Sequence, residues 1–215
     1  MFKVLITGFE PYLDYSENSS WVVAEKVATL GVKGVRIYAE QMPVSFARVG
    51  RVLRKAIEKH SPDMIIMLGQ TSESDYIRLE RVALNMMDAK LSDNDGYIPN
   101  EEPINTETPP ALFTNTPIKA LGAAIEEQGI SVKISNSCGL YVCNRLYYEA
   151  LMICRENTNI RVIFVHLPLY KGQSSSIPNK HTMPLDSMVK SIQTIIEETY
   201  DKNRKIQETS CASIR

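Results

Sequence analysis

The stretch Ile160-Arg161-Val162-Ile163-Phe164-Val165 is apolar at every position but one, and such a run predicts a β-strand buried on both faces. Residues 2–7 and 63–68 are similar short runs and predict two more buried strands. Amphipathic segments that predict helices lie between the strands, and residues 45–60 are the clearest of them. Alternation of buried strands and helices is typical of a parallel sheet covered by helices. The sequence therefore predicts a single domain over residues 1–215, an α/β/α sandwich of three layers with a twisted, mostly parallel sheet.

The remaining elements follow from the same patterns. We expect further helices at residues 19–30, 118–129, 141–156 and 184–200, and further β structure at residues 35–42, 76–87 and 131–135. Residues 171–180 predict a polar loop, and residues 203–215 predict a frayed tail.

Residues 88–117 differ sharply in composition from the rest of the chain. They contain five of the eleven prolines, and six acidic residues against one basic residue, Lys90. Proline lacks the backbone N–H that helices and sheets use, so we expect an irregular arm or lid. Within it, Asp93-Asn94-Asp95-Gly96 resembles part of a calcium-binding loop but lacks the remaining ligand spacing. We therefore interpret this tetrapeptide as a turn.

Charge and composition exclude several classes of function. Lysine and arginine number 24 against 25 for aspartate and glutamate, a formal net charge of −1 that provides no global field for nucleic acid or an anionic membrane. No apolar run exceeds five residues, far short of the ~20 that span a bilayer. Because the first residues also lack the pattern of a signal peptide, we expect a cytoplasmic protein with reduced cysteines. The four cysteines show no CxxC pattern typical of structural zinc.

Cys143 and His166 are the residues best suited to catalysis. In open α/β sheets, ligands bind beyond the carboxyl ends of the strands. His166 follows the strand at 160–165, and Cys143 begins the helix that follows the strand at 131–135. We therefore expect both side chains at one rim of the sheet, where the positive end of the helix favours a thiolate.

Simpler interpretations of these residues remain open from local sequence. Most free cysteines are small buried hydrophobic residues, as we interpret Cys154, and a histidine at a strand end is usually a satisfied core residue. Cys138 is either a packing residue or a second thiol near Cys143. Glu80 could fix the tautomer of His166, although a glutamate followed by arginine is more often an exposed salt-bridge partner.

Eight motifs occur in a specific order along the chain. They are Thr7-Gly8-Phe9-Glu10-Pro11-Tyr12, Asn18-Ser19-Ser20-Trp21, Met42-Pro43-Val44-Ser45-Phe46, Leu68-Gly69-Gln70, Glu80-Arg81-Val82-Ala83-Leu84-Asn85, Asp93-Asn94-Asp95-Gly96-Tyr97-Ile98-Pro99, Ser135-Asn136-Ser137-Cys138-Gly139-Leu140-Tyr141-Val142-Cys143-Asn144 and Phe164-Val165-His166-Leu167-Pro168. In this order and spacing the chain resembles pyroglutamyl-peptidase type I, also called pyrrolidone-carboxylate peptidase, a family of cysteine peptidases. The resemblance covers roughly residues 1–196.

The resemblance implies a mechanism, a substrate and an assembly. It implies that Cys143 is the nucleophile, His166 the general acid and base, and Glu80 the residue that orients the imidazole. The implied reaction removes an N-terminal pyroglutamyl residue from a peptide through a thiol acyl-enzyme, with neither a metal nor an organic cofactor. Members of the family are often tetrameric, so a homo-oligomer with subunit contacts on the proline-rich arm is implied as well.

The resemblance also implies a set of substrate-binding positions. A lactam ring carries no charge, so its pocket should be apolar with a few hydrogen bonds that match an amide. Four residues match pocket walls of the family, and they are Phe9, Tyr12, Leu91 and Val142. Gln70 matches a position next to the ring, and Lys90 stands where the family usually carries an arginine.

The chain departs from the family pattern near the expected site. Lys90 keeps the charge of arginine without its planar fork. Residues 71–75 are bulky and acidic where the family tends to be glycine-rich, and Cys138 and Leu140 replace what are commonly alanine and threonine. These departures suggest an alternative, a protein of the same fold that binds pyroglutamyl peptides with weak or no turnover. A second alternative makes Cys138 and Cys143 a redox or metal-binding pair.

Overall fold

The structure is a computed structural model that describes residues 1–155, 159–173 and 181–212. Its strands are β1 (Phe2–Phe9), β2 (Val35–Met42), β3 (Met64–Gln70), β4 (Ile77–Glu80), β5 (Val82–Leu84), β6 (Ala111–Phe113), β7 (Val132–Ser135), β8 (Arg161–Leu167), β9 (Leu169–Tyr170) and β10 (Thr182–Met183). Its helices are α1 (Ser19–Leu30), α2 (Val49–His60), α3 (Ile118–Glu126), α4 (Val142–Cys154) and α5 (Leu185–Ala212). None of the helices in the described ranges has both the length and the apolarity to cross a membrane.

Six strands form the central sheet, in the order β2-β1-β3-β8-β4-β7. Neighbouring strands are parallel throughout except for β4 and β8, which are antiparallel. The prediction of a mostly parallel sheet is thus confirmed. Only six residues connect β3 to β4, and this explains the exception, because a parallel return requires a crossover of a dozen residues or more.

Helices cover both faces of the sheet, which confirms the three layers. Alternate residues of each central strand face opposite cores, so Val4 and Ile6 of β1 pack into one core and Leu5 packs into the other. Helices α1, α3 and α5 bury their apolar side chains in the first core, and α2 and α4 bury theirs in the second. The apolar runs of β1, β3 and β8 exist because both of their faces are buried.

Several predicted boundaries differ from those observed. Helix α2 begins at Val49 rather than at residue 45, because the Ser45 hydroxyl accepts the Arg48 N–H and the Phe46 N–H donates to the carboxylate of Asp93. Helix α5 continues to Ala212, so the expected tail is helical at residues 203–212, and residues 213–215 lie outside the described part. Most of the expected polar loop, residues 174–180, and the expected end of α4 at residue 156 lie outside it too.

The proline-rich arm is largely irregular, as predicted, but one part of it is a strand. Residues of β6 pair antiparallel with β5, which contradicts the expectation of no regular structure over residues 88–117. Prolines 109 and 110 precede the strand, so the pairing loses none of its N–H donors. The hydroxyl of Tyr148 on α4 donates to the Pro109 carbonyl 2.6 Å away. The arm is therefore held against α4.

The acidic tetrapeptide within the arm is a turn, as interpreted. One carboxylate oxygen of Asp93 accepts the backbone N–H groups of Asp95 and Tyr97, each at 2.9 Å. The carboxylate of Asp95 accepts from the Ser45 hydroxyl at 2.6 Å and from the guanidinium of Arg48 at 2.8 Å. Both acidic side chains are thus used to close the turn and to fasten the arm to the start of α2.

Candidate active site

Cys143 and His166 meet at one end of the sheet, as predicted, but for a different reason. His166 is the penultimate residue of β8, and Cys143 lies in the first turn of α4. The prediction assumed that β7 and β8 run in the same direction, and this is wrong, because β4 and β7 both run antiparallel to β8. The chain after β7 turns back across the sheet, and the ring of Tyr141 packs 5.4 Å from that of Tyr12, just beyond the end of β1.

Glu80 binds the imidazole of His166 from the neighbouring strand. The carboxylate Oε1 of Glu80 lies 2.8 Å from Nδ1 of His166, and both side chains are buried. Antiparallel pairing of β4 with β8 places Glu80 opposite Phe164. Because His166 lies two residues after Phe164, the side chains of Glu80 and His166 point to the same face of the sheet. The local interpretation of Glu80 as an exposed salt-bridge partner is therefore wrong.

The imidazole of His166 lies between two groups that favour its protonated form. Burial opposes the charge, but hydrogen bonding and charge interactions with Cys143 and Glu80 outweigh it and raise the pKa of His166 to about 9. The imidazole is therefore largely protonated at neutral pH. The imidazolium is thus held between the carboxylate of Glu80 and the sulfur of Cys143.

The raised pKa of His166 predicts a loss of stability toward alkaline pH. Between its ordinary value of 6.5 and about 9, the folded protein keeps a proton that the unfolded chain has released, so the free energy of unfolding falls as pH rises. This contribution is complete below about pH 6.5 and lost by about pH 9. Urea unfolding of the wild type and of His166→Gln at several pH values should show their stability difference shrinking over this range. A difference that grows with pH would contradict the assignment.

Gly69 provides the space that the imidazole occupies, a role that sequence reasoning missed. It pairs with His166 across β3 and β8. A Cβ at this position would lie 2.9 Å from Cδ2 of His166 and 2.8 Å from Cζ of Phe164, closer than such atoms approach in folded proteins. The signal in the sequence was a glycine within an otherwise apolar strand, which often marks a close approach.

Asn144 anchors the start of the helix that carries Cys143, and sequence reasoning missed this as well. Its buried side-chain amide accepts the N–H of Leu84 at 2.8 Å and donates to the carbonyls of Leu84 and Met86 at 2.8 and 2.9 Å. These bonds join the first turn of α4 to the chain segment that follows Glu80. The sign of this role in the sequence is an asparagine that directly follows Cys143 in a largely apolar predicted helix.

A cavity of about 200 Å³ opens beside Cys143. Four of the predicted binding residues line it, and they are Phe9, Tyr12, Gln70 and Val142. The other two, Lys90 and Leu91, line an adjoining recess of about 360 Å³ that shares only Tyr12 and Tyr141 with the first cavity. The structure therefore brings together most of the predicted site and leaves Lys90 and Leu91 next to it.

The side-chain amide of Gln70 is held in one orientation at the cavity wall. Its Oε1 accepts the backbone N–H of Ser19 at 2.8 Å, at the start of α1, and also accepts from the Gln173 amide. Asn18 caps the same helix by accepting the Ser20 N–H. Among the described residues only the oxygen of this amide has partners, so its N–H groups can donate to a ligand.

A larger cavity, about 910 Å³, lies far from this chemistry. Its walls include Phe2, Asp63 and Arg161, which stand at or just before the first residues of β1, β3 and β8. That is the end of the sheet opposite His166. The larger cavity is therefore lined by none of Cys143, His166 and Glu80.

Comparisons with known proteins agree with this geometry. The model of the pyroglutamyl peptidase family matches residues 2–202. The pyrrolidone-carboxylate peptidase of Bacillus licheniformis is 37% identical over 210 residues, which is 96% of each chain. That of Bacillus subtilis is 36% identical over 206 residues, 94% of this chain and 95% of the other.

Solved structures give the same answer. The pyrrolidone carboxyl peptidase of Thermococcus litoralis superposes with a TM-score of 0.90 at 30% identity, over 95% of this chain and 96% of that one. Pyroglutamyl peptidase I of Bacillus amyloliquefaciens superposes with a TM-score of 0.85 at 33% identity, over 91% and 95% of the two chains. With the family match over nearly its whole length, the chain belongs to the pyroglutamyl peptidase family of cysteine peptidases.

Proposed function

We propose that the chain is a cysteine exopeptidase that removes the N-terminal pyroglutamyl residue from peptides, with Cys143, His166 and Glu80 as its catalytic residues. The observation that carries this proposal concerns the buried imidazole of His166. It contacts Glu80 on one side and Cys143 on the other. Cys143 also faces a small cavity. Nucleophile, base and orienting group in series are the parts that acyl transfer requires.

The geometry supports a two-step reaction. The Cys143 thiolate attacks the pyroglutamyl carbonyl, and the imidazolium of His166 gives its proton to the leaving amine. His166 then takes a proton from water, which hydrolyses the thioester and frees pyroglutamate. Tyr141, which precedes α4, makes no side-chain capping hydrogen bond to the helix, so backbone N–H groups of the first turn can stabilise the negative oxygen of the intermediate.

The cavity suits a neutral lactam ring. Phe9, Tyr12 and Val142 supply largely apolar walls, and Gln70 supplies N–H donors for the lactam carbonyl. A free amino terminus would bring an ammonium group into this cavity. Burial of an ammonium without a partner is costly, so we expect ordinary N-terminal residues to be refused.

A comparison of fluorogenic amides tests the proposed function. We expect the purified chain to release aminomethylcoumarin from the pyroglutamyl amide and to be slower on the prolyl amide by on the order of 10³-fold or more. The prolyl ring has the same size but carries a charged amine and no lactam carbonyl. Binding of the pyroglutamyl amide without turnover would instead support the alternative of an inactive binding protein.

We also propose that the chain works in the cytoplasm as a homo-oligomer, a tetramer by resemblance to its family. Support comes from exposed apolar side chains gathered on and beside the arm, which are Met86, Leu91, Tyr97 and Ile98. Isolated exposed apolar residues are normal, but several on one segment mark an interaction surface. Light scattering on the purified chain would contradict the proposal if it gave the mass of a monomer at micromolar concentration.

A further inference from the structure

A second thiol, Cys138, belongs to the core against which the proposed nucleophile packs. It stands in the irregular segment between β7 and α4, five residues before Cys143, and only 6% of its surface is exposed. The Cys138 side chain is part of the core beneath α2 and α4, and the side chain of Cys143 packs against that same core. None of the catalytic steps proposed above uses Cys138.

Contacts and charges place Cys138 at the base of the site. Its sulfur lies 3.6 Å from Oδ1 of Asn144, the residue that directly follows Cys143. Burial, and then the charges of Glu80 and Cys143, raise the pKa of Cys138 well above its ordinary value. Cys138 is therefore a protonated thiol within electrostatic range of the proposed nucleophile.

The segment between the two cysteines lacks regular secondary structure over most of its length. Residues 136–140 belong to neither a helix nor a strand. Gly139 has a φ of 78°, and no atom lies within 4 Å of the position that a Cβ would take there. A disulfide requires Cα atoms within about 7 Å of each other and side chains that turn toward one another. Because residues 136–140 form no helix or strand, no regular secondary structure fixes the position of Cys138 relative to Cys143.

We propose that Cys138 is a resolving thiol, which forms a reversible disulfide with Cys143 when a hydroperoxide oxidises the nucleophile. The Cys143 thiolate attacks the peroxide O–O bond, forming Cys143–SOH and releasing hydroxide, or alkoxide from an alkyl hydroperoxide. The sulfur of Cys138 then attacks the Cys143 sulfur, the S–O bond breaks, and the thiol proton leaves with the hydroxyl group as water. The two sulfurs together supply the two electrons that reduce the peroxide.

The disulfide would protect the nucleophile from irreversible damage. A sulfenic acid without a partner thiol is oxidised further to sulfinic acid, which ordinary thiols do not reduce. With Cys138 present, the oxidised site stays at the disulfide stage, inactive until a thiol reductant restores it. This role would depend on Cys138 specifically and on no other cysteine of the chain.

Hydrogen peroxide treatment of the full chain, followed by mass spectrometry, tests the proposal. We expect the wild type to lose two hydrogen atoms in mass and to yield a Cys138–Cys143 linked peptide. The Cys138→Ala variant should gain two oxygen atoms at Cys143 instead. The activity recovered after dithiothreitol treatment is expressed as a fraction of each protein's own starting activity. We expect this fraction to be at least about tenfold higher for the wild type than for Cys138→Ala. The mass measurement does not depend on the substrate, so it stands whether or not the proposed hydrolysis is correct.

Two further variants keep the test decisive. Cys154→Ala, which removes a buried thiol elsewhere in α4, should behave as the wild type does, and Cys138→Ser replaces Cys138→Ala if the alanine variant does not fold. The proposal would be overturned if sulfinic acid formed at Cys143 of the wild type as fast as it forms in the variant without Cys138. A disulfide from Cys143 to Cys154 or Cys211 would overturn it as well.

Discussion

Substitution of Cys143 by alanine should lower kcat/KM for a pyroglutamyl amide by on the order of 10⁴-fold or more. Alanine keeps the fold of the first turn of α4 but removes the only sulfur in contact with the His166 imidazole among the described residues. No acyl-enzyme can then form, and water alone is a poor substitute for a thiolate. The measurement is initial rate at saturating and subsaturating substrate, with protein concentration set by absorbance.

A matched cysteine in the same helix provides the control. Cys154 is buried, and its burial raises the pKa of its thiol to about 11, so Cys154→Ala should keep nearly full activity. In the wild type, iodoacetamide at neutral pH should label Cys143 much faster than Cys154, because only Cys143 lies beside an imidazolium. Equal labelling rates, or substantial turnover by Cys143→Ala, would remove Cys143 from the mechanism. Retained binding of a pyroglutamyl peptide by the inactive variant would show that its cavity is intact.

The fold was largely predictable from sequence because its signals are local. The apolar runs of β1, β3 and β8 reflect burial on both faces, and the amphipathic pattern of α2 reflects burial on one. Such periodicity depends only on neighbouring residues. Strand β6 was missed because its pairing partner, β5, lies about 30 residues away in sequence and its own composition is dominated by the surrounding prolines.

The candidate site was predictable only in part, because Glu80, its proposed third member, depends on a non-local pairing. Nothing near Glu80 in sequence reveals that β4 inserts antiparallel beside β8, so local reasoning favoured an exposed salt bridge. Family resemblance supplied Glu80 where periodicity could not. The same pairing invalidated the argument that β7 and β8 end at one rim, although Cys143 and His166 do meet. Lys90 and Leu91 also match substrate-binding positions of the family. In the structure, however, they line the adjoining recess and not the cavity beside Cys143.

Substitution of Glu80 by glutamine should lower kcat by about 10²- to 10⁴-fold with little change in KM. Oε1 of Glu80 accepts from Nδ1 of His166, and Oε2 is buried without a hydrogen-bond partner among the described residues. Glutamine is almost the same size, but its NH₂ group must occupy one of these two positions. It either opposes the Nδ1 hydrogen of His166 or becomes a buried unpaired donor.

The loss of charge acts in the same direction. Hydrogen bonding and charge from Glu80 help to raise the pKa of His166, so the variant should show a lower pKa for the imidazole, measured by NMR of its ring protons. A lower pKa of His166 leaves less imidazolium at neutral pH to protonate the leaving amine. A merely structural role for Glu80 would reduce stability without this shift, so the titration separates the two roles.

Glu149 offers a second buried carboxylate for comparison. It lies on α4 with its side chain paired to Arg54 of α2 and to Arg145 at 3.7 Å, away from His166. Glu149→Gln leaves two cations without their partner and should lower the free energy of unfolding while kcat stays near the wild-type value. If Glu80→Gln and Glu149→Gln reduced kcat equally, the effect would come from general weakening of the fold, and Glu80 would have no specific part in orienting His166.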